Sequence, residues 1–419
     1  MLIVRGGNAL EGTVSISGAK NGVLPLLAAT AAVAGEYLLQ NCPNLTDVDA
    51  TLEILSQLGC KTQRNGREIY VDSRSLSCCE IPRELMLRLR SSVVFLGALL
   101  ARCGRARLWL PGGCQIGERP IDLHLMALRR LGAAIMEEGA SIIAEAPKLT
   151  GETVILPYPS VGATENVLLA AMGCREPVTL LGAAVEPEIT ALCSFLCAAG
   201  AKIDAIGGSV LVIHPPASPR AVTFSVLPDR MEAATYLCAL AACGGDICMK
   251  NVHPSDLQPV LDTLSAAGVE ITTQKQEIRA RGRGLLRVPT ITTAPFPGFP
   301  TDAQPPMVAA LTGIEGTVLV KETVFANRFQ YVPALCSMGA RILVPDSRTA
   351  VVTGVPKLSG AHMAATDLRG GAAMVVAALC AEGCSSITNT HFIFRGYDSL
   401  CHKLTQIGAQ IQETSEEHE

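Results

Sequence analysis

Two kinds of hydrophobic segment alternate along the chain. The first kind is apolar on nearly every side, at 22–34, 91–101, 166–173, 231–243, 306–313 and 371–381. A helix without a polar face has to be buried all round, and the many Ala and Gly residues let three such helices pack closely together. A turn and a short strand-like run follow each of them, at 36–40, 105–110, 178–181, 246–251, 316–321 and 385–389. The second kind is an amphipathic helix that ends in a small or apolar residue and glycine, then runs into an alternating strand. Those glycines are Gly59, Gly132, Gly200, Gly268, Gly339 and Gly408, spaced by 73, 68, 68, 71 and 69 residues. A glycine there predicts a helix stopped in the left-handed conformation. Six such units at one period set the architecture. They predict an α/β fold in which each domain holds three helices inside, with sheets and amphipathic helices around them.

Length and composition narrow this further. At 419 residues the chain exceeds one ordinary core, so two domains are expected. Hydrophobic residues make 49% and charged ones 17%, which excludes disorder. A net charge of −4 and 4% aromatics provide neither a basic field nor stacking platforms, so no nucleic-acid partner is expected. The longest apolar runs are too short to span a bilayer, and the opening Met-Leu-Ile-Val-Arg-Gly-Gly turns polar at once, so neither a membrane span nor a signal peptide is expected. The 16 cysteines include no Cys-x-x-Cys and the seven histidines no His-x-x-x-His. Structural zinc is therefore not expected, and the cysteines read as reduced, small core residues of a cytoplasmic protein.

Chemistry concentrates in one loop and at the helix starts. Leu110-Pro-Gly-Gly-Cys114-Gln-Ile-Gly-Glu-Arg119-Pro-Ile-Asp122-Leu-His124 holds three glycines and two prolines, and reads as a loop. Cys114 follows two glycines and can be approached closely, and the charge of Arg119 favours a thiolate. Polar residues also gather where the buried helices begin, at Lys20-Asn21, Arg88 and Arg90, 164–166, Asp229-Arg230, Thr301-Asp302 and 366–369. Thr301 and Thr366 read as helix caps. Lysine and arginine oppose the helix dipole at such places, so Lys20, Arg90 and Arg369 predict anion partners.

With the cysteine loop, Lys20-Asn21, Thr301-Asp302, Thr366-Asp-Leu-Arg369 and Arg395-Gly-Tyr in view, the chain resembles the UDP-N-acetylglucosamine 1-carboxyvinyltransferases of the enolpyruvyl transferase family. The resemblance covers essentially the whole chain. It implies a two-domain inside-out α/β barrel of six units, with 1–19 and 228–419 in one domain, 20–227 in the other, and crossovers at 19–20 and 227–228. It also implies transfer of the enolpyruvyl group of phosphoenolpyruvate to UDP-N-acetylglucosamine, the first committed step of peptidoglycan synthesis, without cofactor or metal. On that resemblance Cys114 is the acid that also forms an adduct with phosphoenolpyruvate, and Asp302 binds and deprotonates the sugar hydroxyl. Lys20, Arg119 and Arg395 clamp phosphoenolpyruvate. Asn21 contacts the sugar and Arg90 neighbours the phosphate region. Pro120, Ile121, Asp122 and Leu123, with Ser160, Val161 and Gly162, form the uridine diphosphate site, and Val324 and Arg369 also touch substrate. Four positions depart from the family pattern: Tyr158 stands where some relatives carry a lysine, Phe394 where a polar residue is common, and Gly370-Gly371 where alanine-like residues are usual. A 5-enolpyruvylshikimate-3-phosphate synthase-like transferase would lack the cysteine loop, and a silent UDP-sugar sensor would tolerate loss of Cys114, Asp302 or Arg395.

Overall fold

The computed structural model describes residues 1–109, 121–282, 288 and 290–414. Among them the chain divides into two compact units. The first unit is made of 1–17 and 228–414, the second of 18–109 and 121–227. The all-round apolar segments are helices. In the second unit these are α1 (Lys20–Ala32), α2 (Phe95–Cys103) and α3 (Val161–Ala171). In the first unit they are α4 (Arg230–Cys243), α5 (Gln304–Leu311) and α6 (Leu368–Cys380). Within each unit the three pack on one another. Every residue from 22 to 32 of α1 and from 369 to 379 of α6 is buried, as helices with no polar face require. Small residues set the spacing. A Cβ on Gly97 of α2 would lie 2.3 Å from the Asn166 carbonyl oxygen of α3.

Each repeat wraps its buried helix with one sheet. The strand after the helix pairs in parallel with an edge strand on one side and antiparallel with a hairpin on the other. The order 222–225, 36–40, 68–72, 61–65 in the second unit shows the pattern. Among the described residues, five sheets have four strands. The sixth has three, Arg105–Trp109, Ser141–Glu145 and Ala134–Glu138, with an isolated parallel bridge between Glu80 and Arg107 in the fourth place. The last repeat of the first unit is completed by the start of the chain, because Leu2–Arg5 lies between Cys384–Thr388 and Gln410–Glu413. The six repeat glycines have φ between 90° and 112°, the left-handed helix stop that their spacing predicts.

Three central strands end in an asparagine at positive φ: Asn41, Asn251 and Asn389. Asparagine tolerates this conformation because its short side chain bonds locally. The Asn41 amide donates to the Val226 carbonyl at 2.9 Å and that of Asn251 to Ile16 at 2.7 Å, tying down the ends of the parallel edge strands. Beside Ile16, the Ser17 amide donates to Glu232 Oε2 at 2.8 Å, and buried Lys403 reaches both Glu232 and the Ser17 hydroxyl. Removing one member would leave a buried charge uncompensated, at about 3–5 kcal/mol.

Expected and observed helices differ most in α3, which begins at Val161 rather than near 166. Ser160 caps it, accepting from the Ala163 amide at 3.4 Å. Thr164 and Asn166 therefore lie inside a buried helix and bond its neighbours: Thr164 Oγ1 accepts from the Ala184 amide at 3.0 Å. No helix among the described residues is long and apolar enough to cross a membrane.

Candidate active site

In the first unit the beginnings of α4, α5 and α6 come together around Asp302. Arg328 Nη2 lies 2.9 Å from Asp302 Oδ1, and Arg369 Nε lies 3.2 Å from Oδ2. The two guanidinium side chains are 1% and 3% exposed, whereas Asp302 keeps 26% of its side-chain surface. A carboxylate so placed has its rear fixed by two buried cations and its front accessible. Arg369 Nη1 donates to the Tyr397 hydroxyl at 3.2 Å, and that hydroxyl shares a 2.8 Å hydrogen bond with Thr235 of α4. Burial works against the Arg369 charge, but Tyr397, Asp302 and Asp229 outweigh it and hold its pKa above the usual value. Burial likewise raises the Tyr397 phenol, which stays a neutral donor or acceptor.

Around this pair the backbone is pinned by acids. Glu322, 1% exposed, accepts from Thr293 at 2.8 Å, Thr301 at 2.9 Å and the amides of Val324 at 2.8 Å and Phe325 at 3.1 Å. It thereby fixes both Val324 and the residue preceding Asp302. Arg395 follows the helix His391–Phe394. A Cβ on Gly396 would lie 2.6 Å from Leu368 Cδ2, and one on Gly371 2.5 Å from Ile393 Cγ1, so the Arg395 turn packs closely on the start of α6. Gly370 also sits closely, since a Cβ there would approach Asp367 Oδ2 to 2.5 Å.

The capping roles differ from expectation. Asp367, not Thr366, caps α6, accepting from the Arg369 and Gly370 amides at 3.0 Å each. Thr366 donates to Asp367. The Thr301 hydroxyl goes to Glu322, and α5 has no side-chain cap. The carboxylates are stronger acceptors for these bonds and occupy the positions first.

In the second unit Lys20 opens α1 and Asn21 is exposed beside it. Lys20 Nζ pairs with the buried carboxylate of Asp47 at 2.6 Å. The anions that the helix-start cations predict thus include the protein's own carboxylates, Asp47 for Lys20 and Asp302 for Arg369. Arg90 starts a 3-10 turn, Arg90–Val94, ahead of α2. Ile121 precedes and Asp122 opens the helix Asp122–Arg130, which carries Leu123 in its first turn. Ser160, Val161 and Gly162 form the N-terminus of α3, and the two segments meet at His124, because a Cβ on Gly162 would lie 2.8 Å from its Cε1. Tyr158 is 40% exposed just before that turn.

Cys114, Arg119 and Pro120 lie outside the described residues. The other cysteines are free thiols, several of them raised by burial: Cys42, Cys174 and Cys193 to about 12, Cys60, Cys380 and Cys401 to about 11. Sequence reasoning missed Arg328, Glu322, Tyr397 and Thr235 as parts of the Asp302 cluster. Of these, only Thr235 carried a local signal as a hydroxyl in an otherwise apolar helix, and Tyr397 lay within the Arg395-Gly-Tyr motif.

Comparison with known proteins gives the family and the fold. The family model described as EPSP synthase (3-phosphoshikimate 1-carboxyvinyltransferase) matches residues 4–404. The chain is 43% identical over 409 residues to the UDP-N-acetylglucosamine 1-carboxyvinyltransferase 2 of Caldanaerobacter subterraneus subsp. tengcongensis, covering 97% of this chain and 98% of that one. It is 43% identical over 418 residues to the UDP-N-acetylglucosamine 1-carboxyvinyltransferase of Zymomonas mobilis, covering 98% of each. Among solved structures, the enolpyruvyl transferase NikO from Streptomyces tendae superposes with a TM-score of 0.88 at 28% identity over 98% of each chain. The EPSP synthase of Acinetobacter baumannii superposes at 0.74 with 17% identity over 99% of this chain and 100% of that one, a likeness of fold. The chain therefore belongs to the UDP-N-acetylglucosamine 1-carboxyvinyltransferases, within the enolpyruvyl transferase family.

Proposed function

We infer that the protein transfers the enolpyruvyl group of phosphoenolpyruvate to the 3′-hydroxyl of UDP-N-acetylglucosamine and releases phosphate, the first committed step of peptidoglycan synthesis. The observation that carries this reading is the end-to-end 43% identity to proteins named for that activity. A cytoplasmic location fits its many free thiols.

The reaction exchanges phosphate for a sugar oxygen at C2 of a vinyl group. The hydroxyl first adds across the double bond, its oxygen to C2 and a proton to C3. The C2–O bond to phosphate then breaks, a proton leaves C3, and the double bond returns. This needs an acid for carbon, a base for the hydroxyl and cations for the carboxylate and phosphate. Cys114 donates the proton to C3, and its sulfur can itself add to C2 to form an adduct. Asp302 takes the hydroxyl proton. Its accessible carboxylate, backed by Arg328 and Arg369, supports that role, because a base held from behind keeps one orientation.

Lys20, Arg119 and Arg395 meet the anionic groups of phosphoenolpyruvate, and Arg369 carries further positive charge beside Asp302. Asn21 and Val324 contact the sugar, and Arg90 the phosphate region. Residues 120–123 and 160–162 receive the uridine diphosphate, whose charge suits the free amides at the start of α3. With these cations no metal is needed to neutralise either substrate. The test is phosphate release from phosphoenolpyruvate in the presence of EDTA. Release that requires UDP-N-acetylglucosamine is expected. Release supported by shikimate 3-phosphate in its place, or dependent on added Mg²⁺, would overturn the reading.

A further inference from the structure

His124 stands between the two segments assigned to the nucleotide, and its protonation is fixed by the backbone. The Gly97 amide can only donate, and it meets Asn166 Oδ1 at 2.6 Å. The other end of that side chain is therefore the nitrogen, which donates to the Val93 carbonyl at 3.2 Å. The same nitrogen lies 2.8 Å from His124 Nδ1. A nitrogen that donates needs an acceptor, so Nδ1 is unprotonated and the ring proton sits on Nε2. Burial lowers the His124 pKa to about 4, more than the nearby Asp122 carboxylate raises it, so the ring stays neutral at physiological pH.

The Nε2 edge faces the first turn of α3. A Cβ on Gly162 would lie 2.8 Å from Cε1 and 3.1 Å from Nε2, so only glycine lets the ring sit there. His124 is 8% exposed, and no described residue accepts from Nε2. With its Nδ1 edge taken by Asn166, the ring leaves the Nε2–H at the helix N-terminus for an acceptor that a ligand can supply.

We propose that His124 Nε2–H donates a hydrogen bond to a diphosphate oxygen of the UDP-sugar, together with the amides at the start of α3, and that Asn166 is the positioning residue that sets its tautomer. The inference rests on the assignment of 160–162 to the nucleotide. Asparagine places an acceptor near the Nδ1 position and no donor near Nε2, whereas glutamine can place a donor near Nε2. His124→Asn should thus keep the Asn166 contact and melt close to wild type, yet bind UDP about 10- to 100-fold more weakly, the range for a bond to a charged acceptor. His124→Gln should recover most of the affinity and melt lower. Phosphoenolpyruvate affinity should stay unchanged in both.

Nitrogen NMR of the full-length protein supplies the second measurement. His124 should show the Nε2–H tautomer in the free protein, and that resonance should shift with UDP alongside the amides of Val161 and Gly162. Shifted amides with an unmoved His124 resonance and wild-type affinity for His124→Asn would refute this donor while leaving the nucleotide assignment intact. Unmoved amides with an unmoved His124 resonance would remove the nucleotide assignment, and the donor with it.

Discussion

Arg369 reaches Asp302 with Nε 3.2 Å from Oδ2, and the same guanidinium donates through Nη1 to the Tyr397 hydroxyl. Thr235, Tyr397, Arg369 and Asp302 thus form one hydrogen-bonded chain from α4 through α6 to the proposed base, Asp302, just before α5. Tyr397→Phe removes only the middle oxygen. Its buried partners each lose one hydrogen bond, so stability should fall by about 1–3 kcal/mol. If the chain orients the base, kcat should fall while the KM for UDP-N-acetylglucosamine changes little. An unchanged kcat at the reduced melting temperature would show that the phenol serves the fold alone.

Asp302→Asn keeps the size of the side chain but removes the proposed base and both ion pairs. A kcat lower by about 10²- to 10⁴-fold is expected, the usual range for loss of general acid–base catalysis. Arg328 and Arg369 would stay buried without their Asp302 ion pairs, so the melting temperature should drop as well. Turnover close to wild type would assign the base to another residue.

The fold was legible because it repeats. Gly59 and its five counterparts mark the helix stops, and the apolar segments between them can only be interior helices. The helix starts were harder to read. Thr164 and Asn166 look like boundary residues, yet they are interior polar groups that bond to Ala184, Gly97 and His124. Such bonds join residues 20 to 69 positions apart, and no local pattern announces them. Asp302 was a candidate through its motif, but the partner Arg328 carries no motif and is recognised only by its burial. The expectation of external anions at Lys20 overlooked Asp47, whose carboxylate faces it from the next helix, Thr46–Gln57.

Glu165 gives the fold a pH dependence. Part of the residue remains accessible, but burial of its carboxyl, followed by the nearby Glu188 and Glu186 carboxylates, pushes its pKa up to about 8. The folded state therefore holds a proton that the unfolded chain releases near 4.5. Stability from this group is complete below the unfolded value and is lost as pH rises toward 8. Melting temperature should fall between pH 5 and about 8, and Glu165→Gln should flatten that slope. A parallel slope in the variant would assign the pH dependence to other groups.

The epoxide fosfomycin, an analogue of phosphoenolpyruvate, should label Cys114 and spare the buried thiols. Cys42, Cys174 and Cys193 are pushed up to about 12 and hold almost no thiolate at neutral pH. The exposed Cys103, Cys336 and Cys384 are the internal controls. Peptide mapping should find one modified site, and Cys114→Ser should abolish it together with turnover. Labelling shared among the exposed cysteines would contradict an activated thiol at Cys114.

The most direct test offers the enzyme both acceptors at once. Phosphoenolpyruvate, UDP-N-acetylglucosamine and shikimate 3-phosphate are mixed with the purified protein in D₂O and followed by phosphorus and proton NMR. One phosphate should appear for each UDP-N-acetylglucosamine consumed, shikimate 3-phosphate should persist, and the new vinyl group on the sugar should carry deuterium at C3. Consumption of shikimate 3-phosphate, or a vinyl product free of deuterium, would contradict addition and elimination on the UDP-sugar.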